Sequence, residues 1–179
     1  MQGIVSFLDP YHSNLVQEVK QELADACGLA LDLLAGPAHI SWHVAESYAM
    51  ECLKPELAAL AIELNPLTVR TAGLGLFTGE TPILYIAPVK DAQMDRMHRA
   101  IWASVSQAAR ESVLYYAPDV WVPHISLVIR DGNRDRLGCM LEKLALRPFN
   151  WQFQLDNLAV AIQDEDETIS VPYQLALGK

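Results

Sequence analysis

Long apolar runs are missing from this sequence. No uninterrupted stretch approaches the roughly 18 residues that a membrane-spanning helix needs. The opening Met-Gln-Gly-Ile-Val-Ser-Phe-Leu-Asp-Pro lacks the basic start and extended apolar stretch of a secretory leader, and it reads as a first strand. Cysteine is scarce: Cys27, Cys52 and Cys139 are odd in number, widely spaced and without a Cys-x-x-Cys pair. That pattern excludes a zinc ribbon or a thioredoxin-type site, suits a reducing compartment, and leaves the three as small buried apolar residues. The expected location is the cytoplasm, with no membrane association. Basic residues are also in short supply, 13 Lys and Arg against 22 Asp and Glu, for a net charge of −9. Such a surface repels a polyanion and argues against an extended nucleic-acid track. A small phosphorylated nucleotide, or the end of an RNA strand, is still within reach of a few well-placed donors.

What the 179 residues do contain is a diffuse internal repeat. Pro37-Ala38-His39-Ile40-Ser41-Trp42 resembles Pro123-His124-Ile125-Ser126-Leu127, and Leu64-Asn65-Pro66-Leu67 resembles Leu146-Arg147-Pro148-Phe149. The apolar run from Ile4 to Leu8 corresponds to that from Ile83 to Ala87. All three matches keep the same order at a nearly constant offset of about 80 to 85 positions. The chain therefore reads as one domain, 1–179, with related lobes at about 1–78 and 79–179.

Periodicity assigns both halves the same element order. The first has a strand at 3–9, a helix at 14–27, a strand at 38–45, a helix at 54–64 with Pro55 in its first turn, and a long strand at 67–77. The second has a strand at 82–88, a helix at 91–111, a strand at 122–130, a helix at 133–145 and a long strand at 150–162. A last strand at 168–176 follows the acidic turn 164–167. Two lobes of this kind meet along their sheets, and the line of meeting is a natural cleft.

Side chains alternate faces along a strand. His39, Ser41 and His43 then project one way and Ile40, Trp42 and Val44 the other, while His124, Ser126, Val128 and Arg130 share a face in the second copy. Folding does not require a polar His-Ser pair twice. Phosphodiester cleavage does: one group must take a proton from the attacking nucleophile and another must give one to the departing oxygen. Histidine performs either task near neutral pH. The serine hydroxyls supply donors for the non-bridging oxygens.

With both motifs in view, the chain resembles the 2H phosphoesterase superfamily over nearly its whole length. The resemblance implies an α+β fold of two pseudo-symmetric β-α-β lobes, with antiparallel sheets flanking a central cleft. It also implies catalysis by His39 and His124, phosphate contacts from Ser41 and Ser126, and no metal or other cofactor. The activity implied is hydrolysis of a cyclic phosphate or a 2′-5′ phosphodiester in a small nucleotide or RNA terminus. The alternatives are a catalytically silent nucleotide-binding module and an RNA 2′-5′ ligase. Further substrate contacts are sought in His43, Arg130, Tyr85 and Trp42, set against their ordinary roles as core or ion-paired residues. His98, in a charged helix, is expected at the surface.

Overall fold

Four segments become helices for local reasons. Asp9 accepts the His12 backbone N–H and Pro10 sits in the first turn, so α1 (Pro10–Cys27) starts a turn earlier than its apolar periodicity announces. It stops at Gly28, which takes the left-handed conformation (φ 65°). Asp91 caps α3 (Ala92–Val105) through the N–H groups of Gln93 and Met94, and Asn133 caps α4 (Arg134–Leu144) through those of Asp135 and Arg136. Helix α2 (Met50–Glu63) carries Pro55 in its interior rather than its first turn. The proline lies on the exposed face, where water can meet the carbonyl it leaves without an N–H donor.

The computed structural model describes residues 1–30, 34, 36–129, 133–163 and 169–178. Its strands are β1 (Gln2–Phe7), β2 (His39–Tyr48), β3 (Leu67–Phe77), β4 (Ile83–Pro88), β5 (Ala109–Ser112), β6 (Ile125–Val128), β7 (Gln152–Leu155), β8 (Asn157–Gln163) and β9 (Ile169–Ala176). They form a five-stranded sheet in the order β5-β2-β1-β8-β9 and a four-stranded sheet in the order β6-β4-β3-β7, antiparallel throughout. Helices α2 and α3 pack together beside the first sheet, while α1 and α4 pack together with α1 against β6. The order strand-helix-strand-helix-strand recurs in both halves, with β5, β8 and β9 as additions in the second, and each sheet takes strands from both. The boundary near residue 78 divides the sequence, not the sheets.

Strand β6 is shorter than the expected 122–130 and begins just after His124, and two further elements differ in kind. The segment 106–112 leaves the helix through a 3-10 turn and becomes β5, which pairs with the end of β2. The long strand expected over 150–162 breaks at Asp156, its first part joining β3 and its second β1. The acidic turn 164–167 and Arg130 lie outside the described residues.

The cysteine expectation is overturned. Cys27, at the end of α1, and Cys139, on α4, form a disulfide, and Cys52 is free and exposed. The bond closes a loop across most of the chain and ties together the two helices beside the four-stranded sheet. It removes the cysteine argument for a reducing compartment. Among the described residues, no helix is long and apolar enough to cross a membrane.

Candidate active site

Both His-Ser motifs sit at the same kind of local distortion. On β1, Val5 faces Ser41 and Ile4 faces His43, so β2 carries one extra residue, Trp42. On β4, Tyr85 faces Ser126 and Leu84 faces Val128, so β6 carries one extra residue, Leu127. A bulge bends its strand and breaks the alternation of faces. The polar face therefore ends at the serine in each copy, and the next residue of the expected row turns toward the core. His43 and Val128 occupy these equivalent positions, with 0% and 2% of their surface exposed.

This corrects the reading of His43 and Trp42. His43 does not share a face with His39 and Ser41: its Nδ1 pairs with the Tyr48 hydroxyl at 2.6 Å, its Nε2 meets Ser112 Oγ at 3.2 Å, and its ring packs on Trp102. Burial pushes it down to about 4, so it is neutral at physiological pH. Trp42 is fully buried, donates to Ser6 Oγ and packs near Trp121 and His98, which leaves it no face for a base. His98 is fully buried as well, not at the surface. Arg130 falls among the residues without description. Tyr85 is the substrate-contact candidate that lies beside a motif histidine.

The two histidines are held identically. His39 Nδ1 lies 2.6 Å from the carbonyl of Pro37, and His124 Nδ1 lies 2.8 Å from the carbonyl of Val122, in each case two residues upstream. A carbonyl only accepts, so Nδ1 carries the proton in both rings and Nε2 is left to exchange protons. Burial lowers the pKa of each. The bond to the Pro37 carbonyl raises His39 in part, and the charges of His124 and Lys20 lower it. Ser41 and Ser126 lie two residues beyond their histidines, and neither hydroxyl has a hydrogen-bond partner among the described residues.

An aromatic wall surrounds His124. Phe77 meets its ring edge-on at 5.1 Å and Tyr85 does so at 5.8 Å, with Tyr116 tilted at 6.1 Å. Phe77 stacks on Tyr85 at 4.3 Å and touches Tyr115 edge-on. The wall is possible because β3 bends at Gly73, whose φ of 98° suits glycine, and because Gly75 faces Tyr85 across the ladder. A Cβ at Gly75 would overlap the Tyr85 ring. Gly75→Ala is therefore expected to swing Tyr85 off the wall and to change the ring-current shifts of the His124 ring protons, which sit against Tyr85 and Phe77. Proton NMR of the His124 ring beside Tyr85→Ala checks this; unchanged His124 shifts in both variants contradict it.

Lys20 is a residue that the pattern of α1 held in plain view. It lies on the buried stripe with Val16, Val19 and Leu23, only 2% exposed, and its Nζ donates to the Gly36 carbonyl at 2.6 Å, just ahead of the His39 motif. Burial brings it down to about 8. A lysine on the apolar face of an amphipathic helix was the available signal. Phe77, Tyr115 and Tyr116 come from segments far apart in sequence, and nothing local announced them. Among the described residues, no group of three or more His, Cys, Asp or Glu side chains is placed to hold a metal ion.

Comparison with known proteins gives the family and the fold. The profile of the 2′-5′ RNA ligase superfamily matches residues 8–167. No curated protein matches the chain by sequence. Solved structures share the fold at low identity. TT0787 of Thermus thermophilus is 17% identical with a TM-score of 0.60, over 99% of this chain and 97% of its own. LigT of E. coli, complexed with 3′-AMP, is 12% identical with a TM-score of 0.57, over 99% and 98%. Usb1 of Kluyveromyces marxianus with uridine monophosphate is 13% identical with a TM-score of 0.52, over 98% of each. With a duplicated His-Ser motif on two antiparallel sheets and a family match across most of its length, the chain belongs to the 2′-5′ RNA ligase superfamily, the 2H phosphoesterases.

Proposed function

We propose that this protein is a metal-independent phosphodiesterase that opens a cyclic phosphate, or cleaves a 2′-5′ linkage, in a nucleotide or RNA terminus. The observation that carries the reading is the matched pair of imidazoles, each with Nδ1 tied to a carbonyl and Nε2 left to exchange protons. Structures of relatives hold 3′-AMP, NADP⁺ and uridine monophosphate, which supports a small nucleotide as substrate. The wall of Phe77, Tyr85 and Tyr115 offers a surface for a base, and burial raises the tyrosine hydroxyls so that they remain donors.

In this proposal His39 is the base and His124 the acid. Burial lowers both and their repulsion is mutual, while the Lys20 charge depresses His39 in addition, so His39 is the ring more readily found neutral. Water attacks phosphorus and gives its proton to His39 Nε2. The bond from phosphorus to the ribose oxygen breaks, and that oxygen takes the Nε2 proton of His124. Ser41 and Ser126 donate to the non-bridging oxygens. Exchange with solvent restores both rings. Ligation replaces the attacking water by the 5′-hydroxyl of a second strand, which gives up its proton to the base and joins phosphorus as the bond to one ribose oxygen breaks. The net charge of −9 favours a small nucleotide over a dedicated RNA substrate.

The pH dependence follows from these directions. The base must be unprotonated and the acid protonated, and both titrate below the ordinary 6.5 in the free protein. The kcat/KM profile is expected to peak below pH 6.5, falling on the acid side as His39 gains its proton and toward neutrality as His124 loses its own. The two apparent values belong to the pair. A profile flat from about pH 5 to about pH 8 would count against the assignment, since ordinary imidazole titration falls inside that range.

A further inference from the structure

Trp121 belongs to neither His-Ser motif, yet it is tied to both, to one by a hydrogen bond and to the other by the chain. Its indole Nε1 donates to the carbonyl of Ser41 at 3.1 Å in a fully buried bond, and its own chain runs through Val122 and Pro123 directly into His124. The Val122 carbonyl is the one that holds His124 Nδ1. The strut on the first motif and the anchor of the second histidine are thus adjacent residues.

The first motif needs such support. At its bulge the ladder with β1 is irregular, and β5 covers β2 only from Ala45 onward. The two successive carbonyls, Ser41 and Trp42, are instead bonded by side chains: Trp121 Nε1 on the first, and His98 Nε2 on the second at 2.8 Å. His98 also stacks on Trp121, with ring centroids 3.9 Å apart and planes at 23°. Lys90 also holds the ring, its ammonium 5.6 Å from the Trp121 ring centroid and bonded to the carbonyls of Pro118 and Trp121. His98 Nδ1 is buried and makes no hydrogen bond of ordinary geometry among the described residues, with the backbone of Tyr116 nearby. An unpaired buried nitrogen is destabilising, and an apolar side chain would avoid the penalty. What an apolar side chain cannot do is donate to Trp42.

We propose that Trp121, backed by His98, is a positioning residue that sets the first His-Ser motif at its working distance from the second. The kinetic part of this rests on the phosphodiesterase reading above; the geometric part does not. Small displacements of reacting groups are costly in rate, about 10²-fold for 1 Å.

Trp121→Phe keeps the ring and deletes the donor. The expected result is a fall in kcat of about tenfold or more with KM within about twofold. Ser6→Ala is the control: it removes the acceptor of the other buried indole, Trp42, at a bond that joins neither motif to the other. Its kcat is expected to stay within about twofold of wild type at a similar loss of stability. His98→Leu is expected to follow Trp121→Phe, and His98→Gln, which keeps a donor, to recover most of the rate. This pair decides the matter if Trp121→Phe does not fold. Histidine side-chain nitrogen NMR gives a readout free of turnover: the His39 titration shifts in Trp121→Phe and His98→Leu but not in Ser6→Ala. Unchanged titration overturns the proposal whether or not the protein is active. So does a Ser6→Ala variant that loses as much rate as Trp121→Phe. Absent turnover by wild type with a shifted titration sinks the phosphodiesterase reading and leaves the positioning role standing.

Discussion

Replacing either His39 or His124 by alanine is expected to lower kcat on a 2′,3′-cyclic nucleotide by about 10²- to 10⁴-fold, the contribution of one well-placed proton-transfer group. Neither substitution should unfold the protein. Each ring makes one hydrogen bond, to the carbonyl of Pro37 or Val122, and His39 is only half-buried. Removing His124 also loses edge contacts with Phe77 and Tyr85, a cost of about 1 kcal/mol. The double variant should be little worse than either single one, because a base without its acid accomplishes little. Single-turnover rates with a urea unfolding curve for each variant check both halves. A loss below about tenfold in either single variant would remove that ring from proton transfer.

The second large effect is on stability in acid. His43 and His98 are fully buried and held down to about 4. In the unfolded chain they titrate near 6.5, so between pH 6.5 and pH 4 the unfolded state binds more protons than the folded one. Stability is fully present above 6.5, falls as the pH drops through that window, and levels off for these two groups below about 4. Each contributes about 3 kcal/mol to the fall, and mutual repulsion links them. That is a large share of the roughly 5–15 kcal/mol of a typical domain. Urea unfolding at several pH values should show the steep window in wild type and a shallower one in His43→Gln and His98→Gln. Carboxylates titrate in all three proteins alike, so an identical slope in the variants would contradict this account of His43 and His98.

Most helices and strands are legible in the sequence because each has a local cause: a cap at Asp9, Asp91 or Asn133, or a stretch of apolar alternation. The break at Asp156 also left a local trace. Trp151, Phe153 and Leu155 alternate in one phase and Leu158, Val160 and Ile162 in the other, the mark of a strand that changes sheets. Strand β5 had no such trace. Ala109-Arg110-Glu111-Ser112 has little strand propensity, and its conformation comes from pairing with β2, with Glu111 at a φ of 52°.

The site divides in the same way. His39, Ser41, His124 and Ser126 are visible because duplication marks them. The bulges at Trp42 and Leu127 are invisible, since the apolar alternation runs through both without a glycine or proline to betray an extra residue. That single geometric fact moved His43 from the expected cleft face into the core. The aromatic wall, the disulfide and the Trp121 strut join segments far apart in sequence, and only tertiary packing brings them together.

Phosphorus NMR of the purified protein in EDTA, given a 2′,3′-cyclic nucleotide and then a 1″,2″-cyclic ADP-ribose phosphate, tests the central claim most directly. Opening of at least one compound by wild type, and of neither by His39→Ala or His124→Ala, is the result expected of two-histidine, metal-free catalysis. The shift of the product shows which oxygen keeps the phosphate. Full activity in either variant, or tight nucleotide binding by wild type with both compounds left intact, would contradict it and leave a nucleotide-binding module in its place.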